Sequence, residues 1–224
     1  MFPFPFSFVA PTASGLADID NVYSMEFDGV DDYFEAASAS SVITDFKQPW
    51  SVSWWAKWGT QASTSFNGFW QLGNIASGSE VQLSAQIDAT GSGGQITFAH
   101  GYSMTPTIQR GFGSGLNDSQ WHHYCVTGDG SAGNFIVYID GNSVVQSGGS
   151  TAAAYATDSN NNIGRMKFGS SVRAFGGFID ELAIFDYELD SDQIDEIYNA
   201  TSTGKTADLS SMATPPIAWY RMGD

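Results

Sequence analysis

The sequence predicts an all-β fold, two antiparallel sheets packed face to face, with one short helix near the C-terminus. Three observations predict it. Aromatic residues make up 14% of the 224 residues and sit beside 25 glycines, a composition that suits a large sheet core joined by tight turns. Short apolar runs with period-two alternation recur between Gly-, Ser-, Asn- and Asp-rich turns. Helical periodicity marks a single segment, Asp190 to Tyr198.

The elements follow in chain order. Residues 1–20 read as an extended arm in which Phe2, Phe4, Phe6 and Phe8 alternate around Pro3 and Pro5. Alternation puts the rings on one side of a strand or polyproline segment. The arm either folds back on its own domain or docks on a neighbouring subunit. A strand is expected over Tyr23–Phe27, a turn at Asp28-Gly29, and a second strand over Tyr33–Ala36. In Ser51–Trp58, the residues Val52, Trp54, Ala56 and Trp58 share one face of a long half-buried strand. Phe69–Leu72, Val81–Ile87 and Gln95–Ala99 are shorter strands, and Trp121–Thr127 and Asn134–Ile139 are strong ones. Asp140-Gly141 supplies the two residues of a type I′ hairpin turn, from which Ser143–Gln146 returns antiparallel. Asn161–Met166 and Gly177–Phe185 complete the main set. Asp190 caps the helix with Gln193 three residues on, a capping box, and Ile194, Ile197 and Tyr198 share its apolar face. Thr201–Pro216 reads as a connector and Ile217–Met222 as a last strand. The chain thus divides into an arm (1–20), a sandwich (21–200), and a connector with a terminal strand (201–224).

Composition excludes some function classes. A formal charge of -16 and a pI near 4.1 repel phosphate backbones and anionic lipid, so nucleic-acid binding is not expected. Cys125 is the single cysteine, which rules out an intrachain disulfide and suits a small buried residue. No run reaches the length of a membrane span. MFPFPFSFVAPTASG lacks the basic region of a signal peptide, and its prolines break any helix. Export by a route other than the general secretory pathway is therefore expected.

The ordered series YSMEFDGVDDYFE, WSVSWWAKW, WHHYCVTGDGSAGNFIVYIDGNSVV, NNIGRM and GFIDELAIFDYELDSDQIDEIYN resembles the laminin-G-like jelly rolls of the concanavalin-A-like superfamily. That resemblance implies a two-sheet antiparallel jelly-roll sandwich in a protein that binds glycans, proteins or surfaces outside a cell. It also implies a structural calcium held by an early acidic turn and a late-strand aspartate, here Asp28 and Asp180, with Asp31 as a further ligand. The turn residues Asp28, Asp31 and Asp32 supply hard oxygen ligands; equally, Asp28 and Asp31 suit Asx-type turn hydrogen bonds. His122 and His123 are adjacent in a strand and point to opposite faces, which suits structural roles better than one ligand sphere. His100 has no evident partner, and Asp158–Asn162 reads as a polar turn.

Retaining glycoside hydrolysis needs two carboxyl groups on one side of a cleft, hence alternating acids on a strand. No such strand is present: Glu188, Asp190 and Asp192 fall where the helix starts, and Asp180 and Glu181 are adjacent. Binding or building is therefore expected, with glycoside hydrolysis the remote alternative. A sugar site would use exposed aromatic platforms, with Trp50, Trp55, Trp58, Trp70 and Tyr102 as candidates. The opening NVYSMEFDGVDDYF and closing WYRMGD segments are similar to those of marine bacteriophage structural proteins. They favour an oligomeric virion component (decoration, fibre or adhesin subunit), with Phe2, Phe4, Phe6, Phe8, Trp219 and Tyr220 at assembly contacts. The alternative is a secreted lectin-like module at a microbial surface that binds cell-surface glycans. The terminal strand pairs either with its own sheet or with a neighbour's.

Overall fold

The computed structural model describes residues 15–36, 48–59, 67–73, 81–88, 95–102, 107–113, 115–130, 134–147, 161–168, 171–201 and 204–223. Among these, two large antiparallel sheets form a sandwich. In the first, β11 (Asn142–Ser147), β10 (Phe135–Ile139), β9 (Trp121–Gly128), β4 (Trp50–Lys57) and β15 (Gly176–Phe185) lie side by side. The far edge of β15 carries β2 (Met25–Asp28) and β17 (Ala218–Tyr220). The second sheet has the order β3 (Phe34–Glu35), β12 (Asn162–Ile163), β5 (Asn67–Gly73), β6 (Val81–Asp88), β7 (Gln95–Tyr102) and β8 (Thr107–Phe112). A small ribbon of β13 (Arg165–Phe168) and β14 (Ser171–Ala174) forms its own ladder and packs against β5, where the Lys167 amide donates to Gln71 Oε1 at 2.6 Å.

Alternation places the core between the sheets. Val52, Trp54 and Ala56 of β4 face inward with Trp50 and Trp58 and meet Phe69, Trp70 and Phe98 of the opposing sheet, all essentially water-excluded. Trp54 lies at the centre, stacked on Tyr124 at 5.4 Å and edge-on to Trp70 at 5.2 Å. Aromatic pairs in these geometries add to the area term. Close packing also fixes glycines: a Cβ at Gly164, whose φ is +87°, would lie 2.1 Å from the Phe27 ring.

The expected hairpin and helix are present. Asp140 and Gly141 both have positive φ, 49° and 76°, as a type I′ turn requires. Asp190 Oδ1 accepts the Gln193 amide at 2.8 Å, and Gln193 Oε1 accepts the Asp190 amide at 3.1 Å. The helix α1 (Ser191–Asn199) buries Ile194 and Ile197.

Two segments differ from the sequence reading. Asp18–Asp20, read as part of the arm, forms β1 and pairs with β16 (Lys205–Ala207), which lies in the stretch read as a connector. A 3-10 turn, Leu209–Ser211, follows. With α1 they cover part of the first sheet's outer face and enclose a second, smaller core of Cys125, Ala183, Phe185, Leu189, Ile194, Ile197, Ala207 and Leu209. The apolar residues of this stretch are too widely spaced for a periodicity signal, but they suffice to cap a face already studded with small side chains. The rings Phe2, Phe4, Phe6 and Phe8 lie outside the described residues.

The terminal strand pairs in cis. Leu182, Ala183 and Ile184 of β15 face Tyr220, Trp219 and Ala218 of β17, and Gly176 to Ile179 face Asp28 to Met25 of β2. Both strands run antiparallel to β15, so β17 and β2 lie end to end and the two ends of the chain supply one composite strand. Trp219 and Tyr220, expected at assembly contacts, are half-buried within this sheet.

Candidate functional site: an aromatic groove on the outer face

The part of the first sheet's outer face left uncovered by α1 carries a groove of about 310 Å³. Its floor follows from strand register. Trp55 of β4 faces Asp180 of β15 on one side and His123 of β9 on the other, and Lys57 faces Trp121. Paired residues of antiparallel strands project to one side, so Trp55, Asp180, His123 and Trp121 share the outer face. Tyr23, Asn21, Thr201, Lys205 and Thr206 wall the groove.

The aromatic side chains are held firmly. Trp55 stacks on Tyr198 of the helix with ring centroids 6.0 Å apart. Trp121 remains 37% exposed, yet Phe178 meets it edge-on and Lys57 Nζ lies 5.3 Å from its centroid. Beneath Trp55, His123 is fully buried, with Nε2 2.8 Å from Ser53 Oγ. Burial lowers its pKa to about 4, so it sits neutral in the floor. On the other face His122 holds Asp140 at 2.7 Å, and that bond raises its pKa. The two histidines thus serve separate structural roles, as their adjacency predicts. Cys125 is buried, and burial pushes its thiol upward.

Adjacency misleads at Asp180-Glu181. The register between β15 and β4 shifts between Asp180 and Ala183, a β-bulge with Glu181 at φ +52°. The extra residue turns Glu181 outward beside Asp180 and returns Leu182 to the core. Both carboxylates therefore serve the outer face. Asp180 Oδ1 accepts the Glu181 amide at 2.8 Å, which supports the bulge. Glu181 Oε1 accepts from Asn21 Nδ2 at 2.9 Å, and Oε2 accepts from Trp219 Nε1 at 2.5 Å. Arg221 Nε stands 3.5 Å away. Burial nonetheless outweighs these partners and raises the Glu181 pKa.

The other expected site residues are dispersed. Oxygens of Asp28, Asp31 and Asp32 lie within 4.8 Å of one another on an exposed turn. Asp28 Oδ1 accepts the Val30 and Asp31 amides at 2.7 and 3.3 Å, the Asx arrangement, and these bonds lower its pKa, Val30 first. Asp180 is not in this group. Asp28 faces Gly176, four positions before Asp180 on β15, or about 13 Å along a strand. Of the candidate platforms, Trp50, Trp58 and Trp70 are core residues and Trp55 is in the groove. The Tyr102 and His100 side chains lie outside the described residues, as does Asp158–Asn160, while Asn161 and Asn162 are buried. The sequence reading missed Trp121 and Tyr23. The alternation Trp121, His123, Cys125 opposite Tyr124, Val126 carried the signal for Trp121, since the second set is the core set.

Comparison with solved structures gives the same architecture. The carbohydrate-binding module CBM40 of a Ruminococcus gnavus sialidase, bound to α2,3-sialyllactose, superposes with a TM-score of 0.59 at 12% identity, over 82% of this chain and 99% of that one. A heptameric SAP-like pentraxin from Limulus polyphemus gives 0.54 at 12% identity, over 78% and 81%. A Bacteroides ovatus protein provisionally described as carbohydrate binding gives 0.56 at 15%, over 94% of this chain and 53% of that one. At such identities the likeness is one of fold. No curated protein sequence matches the chain. The family model for the concanavalin A-like lectin/glucanase superfamily matches residues 28–195, most of the sandwich, and the chain belongs to that superfamily.

Proposed function

We propose that the chain is a glycan-binding module of an extracellular or surface protein, and that the outer-face groove is its binding site. The observation that carries this reading is Trp121, a partly exposed large ring fixed by Phe178 and Lys57, diagonal to Trp55 in the same groove and accompanied there by amide, hydroxyl and carboxylate groups. A fixed aromatic face with nearby hydrogen-bonding groups suits the apolar face and hydroxyl rim of a pyranose. The carbohydrate-binding modules of the same fold support it.

Binding without catalysis is part of the reading. The bulge does bring two acids to one face, but both Glu181 oxygens already accept hydrogen bonds and Asp180 Oδ1 holds the bulge amide. Both groups thus hold the bulge and the chain junction together, and we read them as structural supports of the groove rather than as an acid and base pair. We extend the proposal to calcium at the Asp28–Asp32 turn, whose clustered oxygens suit a hard cation; calorimetric titration with calcium chloride, with Asp31→Asn as control, tests it. The virion reading gains no support from the groove or the neighbouring folds, and the four phenylalanines of its arm lie outside the described residues.

The test is an oligosaccharide array with the wild type and Trp121→Ala. Loss of a central aromatic anchor costs about 2 kcal/mol, roughly thirtyfold in affinity. Because the ring also packs on Phe178 and Lys57, the unfolding temperature is recorded beside the array, and lost binding in a folded variant is the expected result. Binding unaffected by Trp121→Ala places the site elsewhere.

A further inference from the structure

We propose that the groove selects uncharged sugars and rejects glycans capped with sialic acid, an inference that rests on the glycan-binding reading above. Recognition of a sugar carboxylate needs an available cation or a set of convergent N–H donors. Among the described residues, each cation that reaches this face already has a neighbouring carboxylate, carbonyl or ring. Lys205 Nζ lies 3.0 Å from Asp18 Oδ1 and 3.8 Å from Asp20 Oδ1. Arg221 donates to the Asp20 carbonyl at 2.7 Å and stands 3.5 Å from Glu181 Oε1. Lys57 is drawn over the Phe178 ring at 4.4 Å and the Trp121 ring at 5.3 Å.

Carboxylates meanwhile line and surround the same space. Asp180, 5% exposed, is in the groove floor, and Asp18 and Asp20 flank Lys205, the one lysine among the described lining residues. The whole chain carries -16, so an approaching anion meets an opposing field as well as an unfavourable wall. The same architecture in the Ruminococcus gnavus module accompanies sialyllactose, so the difference lies in these side chains and not in the fold.

The test is an immobilised array that presents neutral oligosaccharides, each beside its sialic-acid-capped form. The neutral member of a recognised pair should bind at least about tenfold more tightly at low salt, as like-charge juxtaposition predicts. The gap should narrow at about 0.5 M sodium chloride, where screening shortens the field. Asp18→Asn combined with Asp20→Asn unmasks Lys205 and should narrow the gap at low salt. Equal or tighter binding of the capped member overturns the selectivity while leaving glycan binding intact. Binding to neither member overturns both.

Discussion

The replacement Glu181→Gly separates two opposed effects at one residue. Glycine removes the left-handed backbone cost, about 1 kcal/mol for a residue at φ +52°. It also deletes the acceptors for Trp219 Nε1 and Asn21 Nδ2. Hydrogen bonds to a charged group contribute about 1.5–3 kcal/mol each, so two of them outweigh the relief. Net destabilisation should be about 2–5 kcal/mol, a fall in unfolding temperature of roughly 4–20 °C for a chain of this size. Thermal and urea unfolding of the two proteins measure it. Trp219→Phe keeps the ring and removes the donor, so a double-mutant cycle should return a coupling of about 1.5 kcal/mol with Glu181. A glycine variant as stable as the wild type would refute the reasoning, because the hydrogen bonds would then be worth no more than the backbone relief.

Glu181→Gln tests the titration of the same group. Burial raises the folded pKa above its ordinary 4.5, so the folded state holds the proton more tightly. The stability this contributes is full below pH 4.5 and is lost as pH rises through the folded value. Stability measured by urea unfolding across that interval should fall in the wild type relative to the glutamine variant, which does not titrate. His122 has the same sign: its bond to Asp140 raises the pKa from 6.5, and the associated stability is lost as pH rises through the folded value. Asp140→Asn, which suits the positive-φ turn, should lower the His122 titration midpoint in an NMR series. Gly164→Ala combines φ +87° with a contact at 2.1 Å to the Phe27 ring and should cost roughly 2–5 kcal/mol in unfolding experiments.

Sheet architecture was legible because alternation and turn chemistry are local. Val52, Trp54 and Ala56 declare an inward face without reference to any other strand, and Asp140-Gly141 declares its turn. The Asp190–Gln193 box is equally local. Outer-face cover was not legible, because Leu209 and Ala207 become a core only where Cys125 and Ala183 lie beneath them. Nor could period-two reasoning see the bulge. Glu181 is neither glycine nor asparagine, the residues that usually signal positive φ, so strict alternation placed it on the wrong face. That single extra residue separates a strand with opposed acids from one with two acids on the same side.

The bulge also ties the chain ends to the groove. β2 pairs with β15 up to Ile179 and β17 from Leu182, so Asp180 and Glu181 occupy the junction where one end of the chain gives way to the other. Glu181 bridges that junction through Asn21 on the N-terminal side and Trp219 on the C-terminal side. Asn21 is at the same time a wall of the groove, and its backbone amide donates to Gly204 at 2.9 Å beside Lys205. Closing the composite strand and shaping the groove are therefore one packing event. A groove built from both ends of a sequence exists only after the longest-range contacts have formed, so glycan binding should report complete folding rather than folding of the sandwich core alone. In a urea series, loss of binding should coincide with or precede loss of the buried tryptophan fluorescence and never follow it.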